Sequence, residues 1–195
     1  MGKIFCVMGK SGSGKDTLFK EISNDSILDL KPIVLYTTRP RRCNETHGVE
    51  YYFIDEEHLE EYEKMGKVIE VREYYTVKGK WCYGTIDDGQ IDLDRNDYII
   101  IVTLEAYISL QNYFGADNVV PLYISLDDGL RLERALKRER SQQHPNYNEM
   151  CRRFLADSED FSECKLKESG IKNNFKNYEL GECIQSIKEE IKKYK

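Results

Sequence analysis

Short apolar runs alternate with helical periodicities at both ends of the chain. Residues 4–8 are apolar throughout and stop at Gly9, and apolar positions then recur at helical spacing over 17–22. The pattern predicts strand, tight loop, helix. A second strand is expected over 33–36, followed by an aperiodic stretch to about residue 50 that is dense in Arg, Thr, Asn and Gly, as functional loops are. Residues 51–54 read as a short strand. Asp55 caps a helix to about Met65 by accepting from a free first-turn amide, and Gly66 suits the left-handed exit.

The β-rich runs 67–77 and 81–86 flank Lys78, Gly79 and Lys80, which predicts a hairpin and makes the middle third an antiparallel insertion. Residues 98–104 are almost all apolar and β-branched, the signature of a strand buried on both faces. A helix over 105–114, a buried strand over 119–126 and a basic helix over 127–140 follow. A polar break at 141–148 precedes a second charged helix from about 149, and a last strand (171–177) and an amphipathic helix (182–194) close the chain. Strand–helix alternation around a β-rich insert implies an α/β fold, a parallel β-sheet flanked by helices with a smaller lobe.

The 195 residues suit one domain, and 40% hydrophobic with 33% charged residues excludes collagen-like, low-complexity and coiled-coil chains. No apolar run approaches the roughly 20 residues of a membrane span, and no signal-peptide pattern opens the chain, so a cytoplasmic protein is expected. The six cysteines form no C-x-x-C pair and only three histidines could join them, which argues against zinc and for reduced thiols. With 29 basic and 35 acidic residues the net charge is −6, unsuited to a nucleic-acid polymer. Any anionic ligand must be met by local basic clusters.

One such cluster follows the first strand. Gly9-Lys10-Ser11-Gly12-Ser13-Gly14-Lys15 fits G-x-x-x-x-G-K, between the strand and the helix that a phosphate loop requires. Its glycines let backbone amides converge on phosphate oxygens, the helix N-terminus adds about half a positive charge, and the lysine reaches the β and γ phosphates. Gly9, Ser11, Gly12, Ser13, Gly14, Lys15, Asp16 and Thr17 are thus the expected ATP contacts. The motif has Ser or Thr after the lysine as a metal ligand, whereas this chain has Asp16 and then Thr17. A carboxylate beside nucleotide phosphates needs an intervening cation, so Asp16 is expected to address Mg²⁺ with Thr17.

With the segment Tyr36-Thr37-Thr38-Arg39-Pro40-Arg41-Arg42-Cys43-Asn44-Glu45-Thr46-His47-Gly48-Val49-Glu50-Tyr51, the loop makes the chain resemble guanylate kinase. The resemblance implies a single kinase domain over 1–195: a phosphate-loop core (1–36 and 97–195), an inserted lobe gripping GMP (about 37–96) and a helical lid (about 138–150). It implies transfer of the ATP γ phosphate to GMP with Mg²⁺, by a monomer or homodimer whose partners are nucleotides, not nucleic acid or membrane. It also implies an acceptor site of Arg39, Arg42, Glu45, Tyr51, Glu70, Tyr83, Gly84 and Thr85. Arg39 and Arg42 clasp the acceptor phosphate as guanidinium forks, and Glu70 accepts from guanine N1 and the 2-amino group, a donor pair adenine lacks. Arg134, Arg138 and Arg153 match the lid arginines that, with Lys15 and Arg39, form the catalytic set, and Asn177 falls on an asparagine near the adenine. Arg131, Lys137, Arg140 and Arg152 read as a solvated face.

The chain departs from the family at four places. Leu35 stands where a serine often helps read guanine O6, and the hairpin after Glu70 is longer than usual. The D-x-D that ends the central strand is replaced by Ile101 and Thr103, while Asp16 is an acid gained in the loop. One metal-side carboxylate is accordingly expected to have moved from strand to loop, an exchange also resembling the ribose 1,5-bisphosphate phosphokinases. Two alternatives stay open. One is a kinase for another NMP, dNMP or a ribosyl phosphate; the other is a non-catalytic protein-binding module, which the intact Lys15 and its glycines oppose.

Overall fold

The computed structural model describes residues 1–76 and 79–195. In chain order the elements are β1 (Ile4–Met8), α1 (Lys15–Ser23), β2 (Leu30–Pro32), β3 (Tyr36–Thr37), β4 (Tyr52–Phe53), α2 (Glu56–Lys64), β5 (Val68–Thr76) and β6 (Gly79–Ile86). They continue with β7 (Asp97–Ile101), α3 (Leu104–Phe114), β8 (Val119–Ser125), α4 (Asp128–Arg140), α5 (Tyr147–Asp160), α6 (Glu163–Glu168), β9 (Asn174–Lys176) and α7 (Leu180–Lys192). Lys78 of the expected hairpin turn lies outside the described residues.

β1 is buried at every position and sits mid-sheet in the parallel order β2-β7-β1-β8-β9. Side chains alternate across it. Ile4, Cys6 and Met8 join Leu104, Tyr107 and Leu110 of α3 on one face, while Phe5 and Val7 meet Leu18 and Ile22 of α1 and Ile187 and Ile191 of α7 on the other. Helices on both faces explain why the strands carry no polar alternation. The second sheet has the order β4-β3-β6-β5, and its apolar face rests on Leu59 of α2. Asp55 caps that helix by accepting from the His58 amide at 2.9 Å, and Gly66 has φ 67°, as the sequence predicted.

Several expectations change. Of the strand predicted at 33–36 only Tyr36 falls in one, β3; β2 ends before it at Pro32 in the other sheet, and between the two Gln90 stands in for a ladder partner. Its carboxamide accepts from the Val34 amide at 2.9 Å and donates to the Val34 carbonyl at 3.3 Å. The central strand predicted at 98–104 ends at Ile101, because Thr103 caps α3 by accepting from the Ala106 amide. The insertion is antiparallel at β5–β6 and β3–β6 but parallel at β3–β4. A separate short helix, α6, follows α5. Among the described residues, no helix is long and apolar enough to cross a membrane.

Candidate active site

The phosphate loop leaves β1 at the carboxyl edge of the main sheet, where open α/β sheets hold their ligands. Gly12 and Gly14 have φ of 83° and 90°, the left-handed region that glycine adopts without strain. A side chain on Gly14 would collide with the Asn177 amide, and one on Gly12 would come 3.0 Å from the Arg131 carbonyl oxygen. Ser13 is fully buried, its hydroxyl without a partner among the described residues. Lys15, Asp16 and Thr17 begin α1, the last two exposed at the loop mouth.

Three elements grip this loop from outside. Arg131, 0% exposed, donates from Nε to the Ser11 carbonyl at 3.0 Å, pairs through its guanidinium with Asp128 and, at 3.5 Å, with Asp157, and packs over the Phe154 ring. Asp157 in turn accepts from the Ser11 amide at 2.6 Å. The expected solvated face is thus corrected at Arg131, which shares the buried stripe of α4 with Ala135 and Glu139. Arg152 does lie in solvent, paired with Glu149 one turn away. Asn177, 3% exposed, donates from Nδ2 to the Ser13 carbonyl at 2.7 Å, so its amide is committed to the shape of the loop.

Of the arginines expected in the lid, Arg134 brings a guanidinium nitrogen within 3.7 Å of where a Gly14 side chain would start. Arg138 and Arg153 line a cavity of about 180 Å³ with Ser11, and Arg153 Nη2 lies 3.5 Å from the Ser11 hydroxyl. Residues 141–146 are folded back by Glu139, which accepts from the Asn146 amide at 2.5 Å and from Gln142 at 2.9 Å. The sequence reading missed Arg131, Asp157 and Glu139.

On the small sheet, paired hydroxyls explain the two threonines before Arg39. Thr37 donates to the Cys82 carbonyl at 2.8 Å and accepts from the Arg39 amide, while Thr38 accepts from the Cys82 amide. Arg39 is thereby pressed against β6, 4% exposed. Its guanidinium donates twice to Glu45, at 2.8 and 3.0 Å, once to the Pro40 carbonyl and, from Nε, to the Tyr83 hydroxyl at 3.1 Å. Of five N–H groups four are engaged among the described residues, which leaves one on Nη2 for a ligand. The bidentate Arg39 pair holds the Glu45 carboxyl down at about 2, and Glu45 also accepts from the Arg42 amide at 2.8 Å. Arg42 itself is exposed. Tyr51 lies against the Arg39 guanidinium, and burial pushes its phenol up, so it stays a donor at neutral pH.

Glu70 depends on a break in strand regularity. β5 shifts register between Val68 and Glu70, so that Val68 packs with Leu59 while Glu70 turns to the opposite face beside Thr85. Without that extra residue the two would share a face. The buried Thr85 hydroxyl donates to Glu70 Oε1 at 2.9 Å, and Arg72, another residue the sequence reading missed, donates to Oε2 at 3.0 Å. At Gly84 the strands approach so closely that a side chain would meet the Glu70 carbonyl at 2.6 Å. Glu70, Arg72, Tyr83 and Thr85 therefore share one face, by strand alternation and by register.

Among the described residues no group of three or more His, Cys, Asp or Glu could hold a metal. Asp16 and Thr17 still fit a hard divalent cation, since exposed oxygen donors at the loop mouth suit an ion that keeps water and substrate phosphate as its other ligands.

The comparisons with known proteins bear on the family and the fold. The guanylate kinase family model matches residues 1–163. The chain is 33% identical over 87 residues to a guanylate kinase of Rhodopirellula baltica, covering 45% of this chain and 41% of that one. It is 26% identical over 138 residues to the guanylate kinase of Malacoplasma penetrans, covering 70% and 68%. The chain thus spans about two fifths of the first relative's length and two thirds of the second's. In fold it is similar to the crystal structure of guanylate kinase from Anaplasma phagocytophilum, with a TM-score of 0.71 and 17% identity, covering 98% of this chain and 85% of that one. A phosphate loop on a parallel sheet, a second sheet carrying an arginine–glutamate pair, and a family match over residues 1–163 lead to one conclusion: the chain belongs to the guanylate kinase family.

Proposed function

We propose that the protein transfers the γ-phosphoryl group of ATP to GMP, giving ADP and GDP. The observation that carries this reading is the Glu70 carboxylate. A carboxylate has about four lone-pair positions. Thr85 and Arg72 each take one, on different oxygens, so each oxygen keeps capacity for one more donor. The complementary ligand edge is two adjacent N–H groups, which guanine offers at N1 and the 2-amino group. Adenine offers an acceptor at N1 and leaves the nearly buried carboxylate short of a partner.

The acceptor phosphate belongs at the other end of the same face. There the free Arg39 N–H and the Tyr51 and Tyr83 hydroxyls supply donors in fixed directions, with Glu45 orienting Arg39 and the exposed Arg42 adding charge. ATP is assigned to the loop, its phosphates met by the amides of residues 9–17 and by Lys15. Mg²⁺, when bound, screens the charge of the nucleotide phosphates, and Asp16 and Thr17 are the residues that would hold it. Arg134 and Arg138 at the entry of the lid, residues 138–150, and Arg153 beyond it offset charge on the γ phosphoryl group, and lid closure excludes water, while a GMP phosphate oxygen attacks phosphorus and ADP leaves. The lobe at 37–96 brings the acceptor to the core formed by 1–36 and 97–195. No covalent enzyme intermediate is needed.

ADP release measured with GMP, dGMP, AMP, UMP and ribose 1,5-bisphosphate tests the reading. GMP is expected to exceed AMP in kcat/KM by about ten-thousandfold, the discrimination of a site that hydrogen-bonds its substrate's N–H groups. Equal use of AMP, or a preference for ribose 1,5-bisphosphate, refutes the assignment.

A further inference from the structure

We propose that Arg72 is a positioning residue for base selection, which sets the orientation of the Glu70 carboxylate and ties it to the main sheet at Thr103. The proposal rests on the guanine reading above. Arg72 stands opposite Tyr83 in the β5–β6 ladder, one pleat from Glu70 on the same face. Its Nε donates to Glu70 Oε2 at 3.0 Å and its Nη1 to the Thr103 hydroxyl at 3.3 Å. Thr103 follows the end of β7, beside β1 where Val7 faces Ile101, and the Val102 amide donates to the Val7 carbonyl. One guanidinium thus joins the base-reading face of the small sheet to the edge of the main sheet from which the phosphate loop springs.

Burial separates this pair from the surface pairs of the molecule. The Arg72 and Glu70 side chains are 14% and 5% exposed, against 64% and 46% for Arg152 and Glu149. A glutamate carboxylate turns easily about its last torsion, because that well is broad. Thr85 fixes one oxygen and leaves rotation about that contact; Arg72 fixes the other, so the plane is set and the two remaining acceptor positions face one way. The fork also explains arginine over lysine. Two bonds to two different elements require donors at fixed separation, which a single ammonium does not provide.

The discriminating probes are GMP and IMP, since hypoxanthine keeps N1–H and lacks the 2-amino group. Wild-type enzyme is expected to prefer GMP. Arg72→Met should lower the GMP/IMP ratio of kcat/KM by about tenfold, the scale of one hydrogen bond to a charged group. The loss should appear in KM for GMP, with KM for ATP unchanged and Arg72→Lys recovering only part of it. An unchanged ratio in Arg72→Met, or equal losses toward GMP and ATP, overturns the role given to Arg72 and leaves the guanine reading intact. A wild-type enzyme that does not distinguish GMP from IMP overturns both. Should Arg72→Met fail to fold, Arg72→Lys decides alone: a wild-type ratio rejects the proposal, and a reduced ratio with native melting supports it.

Discussion

The two ends of the cleft are each built around an arginine withdrawn from solvent, yet the arginines serve different purposes. Arg131 at the phosphate loop is 0% exposed and spends itself on Asp128, Asp157 and the Ser11 carbonyl, holding backbone that meets the ligand. Arg39 on the small sheet is 4% exposed, is oriented by Glu45 and Tyr83, and keeps one N–H for the ligand itself. Supporting structure differs in the same direction. The loop is backed by a five-stranded sheet packed on both faces, whereas Arg39 follows a two-residue strand over a cluster of four buried residues. Both ends use an arginine ion pair, but only at the donor end does a large core stand behind it.

The comparison breaks most sharply at Arg131. Arg131→Met removes a buried guanidinium and leaves two carboxylates, 54% and 19% exposed, against the loop, a loss of about 3 kcal/mol, the low end for a broken buried pair because both acids keep contact with solvent. Thermal denaturation should show a large fall in melting temperature, with ATP binding weakened alongside. Native melting would mean that the network is not what holds the loop. Arg39→Lys keeps the charge and loses the fork, and should cost about 1.5–3 kcal/mol in acceptor binding, the range for hydrogen bonds to charged groups. ATP affinity measured by calorimetry should not move. If it falls equally, the two ends are not independent.

A third change sharpens the donor side. Asp16→Asn keeps size and position on the first turn of α1 and removes the charge. The Mg²⁺ concentration for half-maximal rate should rise by about tenfold, the low end for loss of a group that serves a metal. An unchanged Mg²⁺ dependence removes Asp16 from the metal's surroundings.

These features were unequally legible in the sequence. The phosphate loop and the Asp55 cap were readable because local rules decide them: glycine at positive φ, and an acid accepting from a first-turn amide. Arg131 was hidden because the buried stripe of α4 runs Arg131, Ala135, Glu139, a helical repeat with charge at two of its three positions. Hydrophobic patterning cannot see a buried face made of ion pairs. Glu70 was found only through the family's motif, since Val68-Ile69-Glu70-Val71 does not reveal the register shift that turns the acid toward Thr85. Arg72 did carry a signal, two residues from Glu70 on a strand, but its tie to Thr103 joins positions 31 residues apart. The Gln90 substitute for a strand partner is equally non-local.

The smallest expected effect concerns acid. Glu45 has its folded pKa lowered from 4.5 to about 2, first by the Arg39 hydrogen bonds and then by the Arg42 amide. A depressed carboxyl contributes stability that is complete above its unfolded value, so the contribution is present at neutral pH and is lost as pH falls from about 4.5 toward 2. Protonation then costs Arg39 its bidentate partner. Near-UV circular dichroism of the tyrosines around Arg39 should therefore change in this window, and Glu45→Gln should shift the spectrum toward that form already at pH 7. A Glu45→Gln protein with the wild-type spectrum and the wild-type acid transition would show that Tyr83 and the Pro40 carbonyl suffice to orient Arg39, and the acceptor end would then owe less to its ion pair than the donor end does.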